Sequence, residues 1–221
     1  MINHKNFEPQ CVDDCVIGSA VAKLTLQDII EGKMAFPAYG KCGILIYGVW
    51  GTGKTALAGV IPNAMEFARG GSDPHVKWLR CGSNNNGTAT VEKIVTQTEV
   101  ISFNNSGLHY VVLDEVDNLT EAAQKHLKSA MNFQHAVFIM TTNHLNKVDK
   151  GVQSRCHLIQ MNAAQPADWL PKVRQVIAAC GAPVPDDSLL LPVIQAAQGS
   201  ARDVMSGAQA VANQILRKLA A

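Results

Sequence analysis

The chain has 221 residues, of which 47% are hydrophobic and 17% charged, with a formal net charge of +1 at pH 7. This apolar fraction is enough to form a buried core, which excludes an intrinsically disordered chain. The longest apolar stretches, such as Gly43–Trp50, are far shorter than the roughly 20 residues that cross a bilayer, which excludes a membrane span. The first residues, MINHKNFEPQ, contain no basic-then-apolar signal region, so we expect a cytoplasmic protein.

Six cysteines are scattered along the sequence without a CxxC motif. Because no secretory signal is present, we expect reduced thiols rather than a disulfide framework. A net charge close to zero indicates no particular partner, since a local basic face can be balanced by acidic residues elsewhere.

The sequence before residue 162 alternates short apolar runs with helix-like segments, which is typical of a parallel sheet covered by helices. The centres of the apolar runs are rich in Val, Ile and Leu, so we expect strands that are buried on both faces. The predicted strands are Gly43–Tyr47, Val76–Cys81, Tyr110–Leu113, Ala136–Thr141 and His157–Met161. The predicted helices between them are Thr55–Arg69, Ala89–Phe103 and Glu121–Phe133.

Strand signals stop after Pro166, and three further helices are predicted. They are Asp168–Ala179, Asp186–Gln198 and Ser200–Leu219. The second begins with acidic residues, which suit the positive end of a helix dipole, and Gly199 and Ser200 end it and cap the third. We therefore expect an α/β nucleotide-binding domain over residues 1–161 and a small helical lid domain over residues 162–221.

A phosphate-binding loop is predicted directly after the first strand, where Gly48–Thr55 reads GVWGTGKT and matches the pattern GxxxxGK[ST]. Glycines let the backbone N–H groups surround a phosphate, and the N-terminus of the next helix adds positive potential. Lys54 would reach the terminal phosphates of ATP, and the Thr55 hydroxyl would bind Mg²⁺. The predicted nucleotide-binding residues of this loop are Gly48, Gly51, Thr52, Gly53, Lys54 and Thr55.

Two adjacent acids, Asp114 and Glu115, follow the predicted strand Tyr110–Leu113. This is the edge of a parallel sheet at which ligands bind. Asp114 would bind Mg²⁺, and Glu115 would orient and polarise the attacking water. An apolar strand ending in Asp-Glu is more often a surface loop on its own, but behind a phosphate loop it indicates a site for ATP hydrolysis.

Further motifs follow in an order that resembles the AAA+ ATPases and, within them, the small subunits of clamp loaders. They are Val16-Ile17-Gly18, the segment Leu113–Thr120, Thr141-Thr142-Asn143, Ser154-Arg155-Cys156 and Gly199–Asp203. The last two motifs are the more selective ones. The resemblance covers most of the chain and implies a P-loop NTPase sheet sandwiched by helices, followed by a three-helix lid.

The resemblance also implies roles for residues outside the phosphate loop. Val16 and Ile17 would lie on the adenine side of the nucleotide. Asn143 would lie near the γ-phosphate, on a strand between the two strands that carry the phosphate loop and the acids. Arg155 would be an arginine finger that contacts ATP bound by a neighbouring subunit, and Arg202 would contact the nucleotide of its own subunit.

As a whole, the resemblance implies a ring or spiral of identical or different AAA+ subunits that hydrolyses ATP with Mg²⁺. Such an assembly would load or remodel a DNA-associated protein. Clamp-loader subunits carry a helical collar domain after the lid, and the sequence up to Ala221 has no counterpart of it. ATP hydrolysis is therefore better supported than clamp loading, and whether the chain contacts DNA directly stays open.

Two alternatives share the phosphate loop. The first is an ATP-gated assembly switch or binding module in a phage or mobile-element DNA transaction, with slow hydrolysis. The second is a small-molecule kinase, which the adjacent Asp114 and Glu115, Asn143 and the helical C-terminal segment disfavour.

Overall fold

The computed structural model describes residues 7–98, 100–132 and 135–220. These residues form one five-stranded sheet whose neighbouring strands are all parallel. The strands are β1 (Gly43–Tyr47), β2 (Val76–Arg80), β3 (His109–Asp114), β4 (Ala136–Thr142) and β5 (Cys156–Gln160). Their ends lie within one residue of the predicted ends.

The strand order in the sheet is β2-β3-β4-β1-β5. The strand that leads to Asn143, β4, therefore lies between β1 and β3, as the family resemblance implied. The register pairs Tyr47 of β1 with Thr142 of β4, and Leu113 of β3 with Met140 of β4. The carboxyl ends of the three central strands consequently meet at one edge of the sheet.

Helices of very different length precede, connect and follow the strands. They are α1 (Ala20–Ile30), α2 (Lys54–Ala68), α3 (Thr88–Thr98), α4 (Glu121–Ala130), α5 (Lys150–Ser154), α6 (Pro166–Ala179), α7 (Asp187–Ala196) and α8 (Ala201–Leu219). Short 3₁₀ helices cover Val12–Asp14, Val116–Asn118 and Leu145–Lys147.

Two of the helices predicted between strands are longer than the observed ones. The prediction Ala89–Phe103 is wrong at its C-terminal end, because α3 ends at Thr98. In the following segment the Asn104 side-chain amide donates to Leu108 O at 2.7 Å. Side-chain bonds of this kind compete with helical backbone hydrogen bonds. The predicted helix Glu121–Phe133 ends earlier, at Ala130, and Phe133 lies outside the described residues.

Both faces of the sheet are covered by helices, which confirms the predicted fold class. Ile44 and Ile46 of β1 belong to an apolar cluster that includes residues of α1 and α2. Leu45, which points to the other face, belongs to a second cluster with residues of α3, α4 and α5. The exceptions are the edge strands β2 and β5, each of which has one neighbouring strand. Trp78 of β2 and Leu158 of β5 are each 43% exposed, so the expectation of burial on both faces is wrong for the two edge strands.

The helices α6, α7 and α8 surround a third apolar cluster, which includes Trp169, Ile177, Leu190 and Val204. The boundary between residues 161 and 162 stays a prediction. All six cysteines are free, and no two of them are bonded to each other. Within the described ranges, no helix combines the length and apolarity needed to cross a membrane.

Candidate nucleotide-binding site

The loop between β1 and α2 has a backbone that requires glycine. Gly48 and Gly51 have φ angles of +147° and +77°. A Cβ atom at Gly48 would lie 2.3 Å from the carbonyl oxygen of Met161, and one at Gly51 would lie 2.8 Å from Ser200 Oγ. The loop is therefore tightly curved and packed against the end of β5 and the start of α8.

Lys54, the first residue of α2, turns its side chain back onto this loop. It is only 7% exposed. Its Nζ donates to Gly48 O at 3.0 Å and also to Val49 O. Burial lowers the pKa of Lys54, while the carboxylates of Asp114 and Asp117 oppose part of this shift. The ammonium group is thus held within the loop.

Asp114, at the end of β3, lies against the start of α2. Its Oδ1 accepts hydrogen bonds from Thr55 Oγ1 at 2.8 Å and from Thr141 Oγ1 at 2.7 Å. A buried carboxylate and a hydroxyl from two different elements therefore meet directly beside the phosphate loop.

These two oxygen donors fit Mg²⁺, which proteins commonly bind through one or two side chains together with substrate phosphates and water. In the described part of the chain, no group of three or more His, Cys, Asp or Glu residues could hold a metal. A site with few protein ligands, completed by phosphate oxygens, is the kind that suits Thr55 and Asp114.

Glu115 has a left-handed backbone conformation with φ of +59°. Its Oε1 accepts from Arg80 Nη2 at 3.0 Å, and its Oε2 accepts from Asn118 Nδ2 at 3.3 Å. Arg80 is the last residue of β2 and pairs in register with Asp114. No local pattern indicated this partner, because the contact depends on β2 being the neighbour of β3.

Asn143 directly follows β4, and its side chain makes no hydrogen bond to another described residue. The strand end before it is fixed, because Thr142 Oγ1 donates to Asp117 Oδ1 at 2.7 Å. Since Thr142 pairs with Tyr47, the residue before Gly48, Asn143 lies beside the start of the phosphate loop.

Arg155 lies at the opposite end of the sheet, where the strands begin. Its carbonyl oxygen accepts from Gly43 N, at the amino end of β1, and its guanidinium donates to Asn132 Oδ1 and Gly151 O. At about 3.3 Å per residue, β1 separates this end from the phosphate loop by roughly 13 Å. The structure therefore does not bring Arg155 together with the other predicted site residues.

A cavity of about 880 Å³ adjoins the phosphate loop. This volume falls in the range of small-molecule sites. Its wall includes Thr52, Gly53 and Thr55, and also Val16 from the N-terminal segment and Arg202 from α8. Val16 and Arg202, two site residues that the family resemblance implied, therefore lie near the phosphate loop.

The start of α8 contacts the loop directly, since Ala201 N donates to Gly51 O at 2.8 Å. Ile17, in contrast, packs against the core cluster beside α1 and α2 and is not part of the cavity wall. Residues of α6 and α8 therefore line the same cavity as the phosphate loop.

Residues 44–162 match the ATPase family associated with various cellular activities (AAA), and the chain belongs to this family. The chain is 25% identical over 212 residues to replication factor C small subunit 2 of Pyrobaculum islandicum, covering 94% of this chain and 62% of the relative. It is also 25% identical to the replication factor C small subunit of Natronomonas pharaonis, covering 94% and 61%. The chain thus spans about three fifths of the length of these curated relatives.

The fold is similar to that of the RuvB Holliday junction branch migration motor of Thermotoga maritima. The TM-score is 0.75 at 17% identity, with 97% of this chain and 68% of that chain covered. At this identity the likeness shows the fold alone. The resemblance to clamp-loader-like AAA+ ATPases that the motifs indicated is confirmed by the family match and the curated relatives.

Proposed function

We propose that the chain binds ATP with Mg²⁺ in the phosphate loop and hydrolyses it. The observation that carries this proposal is the 2.8 Å hydrogen bond between Thr55 Oγ1 and Asp114 Oδ1. It joins the loop hydroxyl to the strand carboxylate, so both can serve one metal ion. Bound there, Mg²⁺ would neutralise charge on the phosphates.

Other residues around the phosphate loop would bind the nucleotide and activate the attacking water. Lys54 and the N-terminus of α2 bind the terminal phosphates. Glu115 accepts a proton from the attacking water and orients it, and Asn143 positions the γ-phosphate and this water. Val16 would contact the adenine of ATP. This role is supported by its position on the wall of the cavity beside the loop.

The helical segment over residues 162–221 acts in this proposal as a lid on the α/β domain over residues 1–161. Support comes from the hydrogen bond between Ala201 N and Gly51 O and from Arg202 on the cavity wall. A guanidinium at this position can bind phosphate of the same subunit, and so transmit the state of the nucleotide to α6, α7 and α8.

We further propose that several copies, or related subunits, assemble into a ring or spiral. Arg155 lies at the edge of the sheet opposite to its own phosphate loop, where it cannot reach its own nucleotide. A permanently charged, planar guanidinium there suits stabilisation of ATP held by a neighbour. The Arg155 side chain is partly exposed, so a neighbouring subunit can contact it.

The assembled protein would load or remodel a DNA-associated protein. This part of the proposal rests on the similarity to replication factor C small subunits over most of the chain. A second candidate, an ATP-gated assembly switch with slow hydrolysis, is favoured by the bonds from Arg80 and Asn118 to Glu115. A carboxylate engaged in this way is less available to polarise water.

The ATPase rate per subunit, measured over a wide range of protein concentration with and without DNA, tests these proposals. We expect the rate to rise as subunits assemble, and a flat profile would contradict a finger supplied by a neighbour. Stimulation by DNA favours loading or remodelling, whereas ATP-dependent assembly without stimulation favours the switch.

Two variants test the site itself. Glu115→Gln should trap bound ATP. Lys54→Ala should lose ATP binding, and unchanged affinity would overturn the assignment of the site.

A further inference from the structure

Trp50 and His144 connect the phosphate loop to the loop that carries Asn143. Their ring centroids lie 5.6 Å apart, and the rings are inclined by 75° in an edge-to-face arrangement. This geometry is a favourable one for aromatic pairs, because the positive edge of one ring meets the negative face of the other. None of the roles described above uses either side chain.

The sheet places these two side chains next to each other. Tyr47 and Thr142 are paired in register at the carboxyl ends of β1 and β4. Gly48–Gly53 leaves from one of these strands, and Asn143 and His144 leave from the other, so the two loops run side by side. The contact between Trp50 and His144 is the aromatic bridge between these loops.

His144 is held on two sides. Its backbone N–H donates to Thr142 Oγ1 at 2.9 Å, which fixes the main chain after β4. Its ring contacts Trp50. Asn143, whose amide makes no hydrogen bond to another described residue, lies in the chain between Thr142 and His144, the two residues that this backbone hydrogen bond joins. The direction of its side chain therefore depends on how the main chain around it is held.

We propose that Trp50, acting through His144, is a positioning residue that orients Asn143 toward the γ-phosphate. The inference rests on the proposed ATP hydrolysis. Trp50 is 67% exposed, so it adds little to the apolar core. Its removal should leave the fold and the backbone N–H groups of the phosphate loop intact while the loop that carries Asn143 becomes more mobile.

The test compares Trp50→Ala, Trp50→Phe and His144→Ala with the wild type by steady-state ATPase kinetics. We expect Trp50→Ala and His144→Ala each to lower kcat by about 2- to 10-fold, the range that an aromatic pair accounts for, with KM little changed. Trp50→Phe, which keeps an aromatic ring, should recover most of the rate. Trp78→Ala, which removes a partly exposed tryptophan of β2, is the matched control and should behave as wild type.

The double variant Trp50→Ala/His144→Ala should lose no more activity than either single variant, because one contact is removed in all three. Fully multiplicative losses, or an unchanged kcat in Trp50→Ala, would overturn the inference. A readout without ATP separates it from the proposed function: the NMR resonances of the Asn143 side-chain amide should shift in Trp50→Ala and not in Trp78→Ala. If the wild type hydrolyses no ATP, the proposed function fails. Unshifted Asn143 resonances refute the positioning contact itself.

Discussion

Arg80 Nη2 lies 3.0 Å from Glu115 Oε1, and this ion pair directs the proposed water-polarising carboxylate toward the edge strand β2. Glu115 follows β3, which has β2 on one side and β4, followed by β1 with its phosphate loop, on the other. A bond to Arg80 therefore draws the carboxylate away from the side on which ATP would bind.

Replacing Arg80 should raise the ATPase rate of the protein alone. We expect Arg80→Met to increase kcat by about 2- to 5-fold, because an exposed ion pair holds its partner weakly and its loss frees Glu115. KM should change little, since Arg80 touches none of the phosphate-binding residues. Lys77→Met removes another exposed cation of β2 and serves as the control. A fall in kcat in Arg80→Met would mean that the pair supports catalysis instead of restraining it.

Asp114→Asn should separate ATP binding from hydrolysis. An asparagine can still accept a hydrogen bond from Thr55 or Thr141, but it lacks the charge that binds Mg²⁺. We expect hydrolysis to fall by a factor on the order of 10² to 10³, with the Mg²⁺ dependence of ATP affinity largely lost. Titrations with and without Mg²⁺ measure this, and an unchanged Mg²⁺ response would exclude Asp114 as a metal ligand.

Mixing two inactive variants tests whether Arg155 acts on a neighbouring subunit. Arg155→Ala retains Glu115 and lacks the finger, while Glu115→Gln retains the finger and lacks the water-polarising carboxylate. In a mixed assembly, an interface at which Arg155 of one variant meets Glu115 of the other has both groups. We therefore expect ATPase activity to reappear on mixing.

The control for this mixing experiment uses the double variant Arg155→Ala/Glu115→Gln, which carries both changes in one chain. It is mixed with either single variant. Such mixtures contain no interface with both groups and should stay inactive. Equal activity in the two kinds of mixture would show that the recovered rate does not come from a shared site.

Asp14 should make stability depend on pH in the acidic range. The backbone N–H of Gln10, together with Lys172, lowers the pKa of Asp14 to about 2. Because the pKa is lower in the folded state, the contribution to stability is present above about pH 4, where the unfolded chain is ionised, and is lost as the pH falls toward 2.

Asp14→Asn should therefore lower the free energy of unfolding at pH 7 by up to about 1 kcal/mol, since solvent screens part of the interaction. The difference from wild type should vanish near pH 2. Urea unfolding at several pH values measures it, with Asp13→Asn as the exposed control. A difference that is the same at pH 7 and pH 2 would contradict the role of the Asp14 charge.

Local patterns were enough to place the central strands and the phosphate loop. The five-residue apolar run of β1 and the glycines after it define their own structure, because burial and backbone conformation are encoded in adjacent residues. The chain also contains the parallel sheet and the three C-terminal helices that hydrophobic patterning predicted. For α3 the pattern was misleading, since Val100 and Ile101 extend the apolar signal beyond its actual end.

Contacts between strands could not be predicted in this way. Arg80 bonds to Glu115, and Thr141 to Asp114, only because β2 and β4 flank β3 in the sheet. The exposure of β2 depends on the same strand order. The family resemblance supplied one part of this information, the central place of β4, but no local signal indicated that the predicted catalytic glutamate has an arginine partner.

The parallel direction of the strands has a consequence for assembly. Each copy of the chain has its phosphate loop at the carboxyl ends of the strands and Arg155 at their amino ends. If the arginine serves a neighbour in a ring or spiral, two unlike surfaces must join, so the copies pack head to tail. In a closed ring every bound ATP then meets a donor, whereas an open helical stack always leaves the nucleotide of one terminal subunit without one.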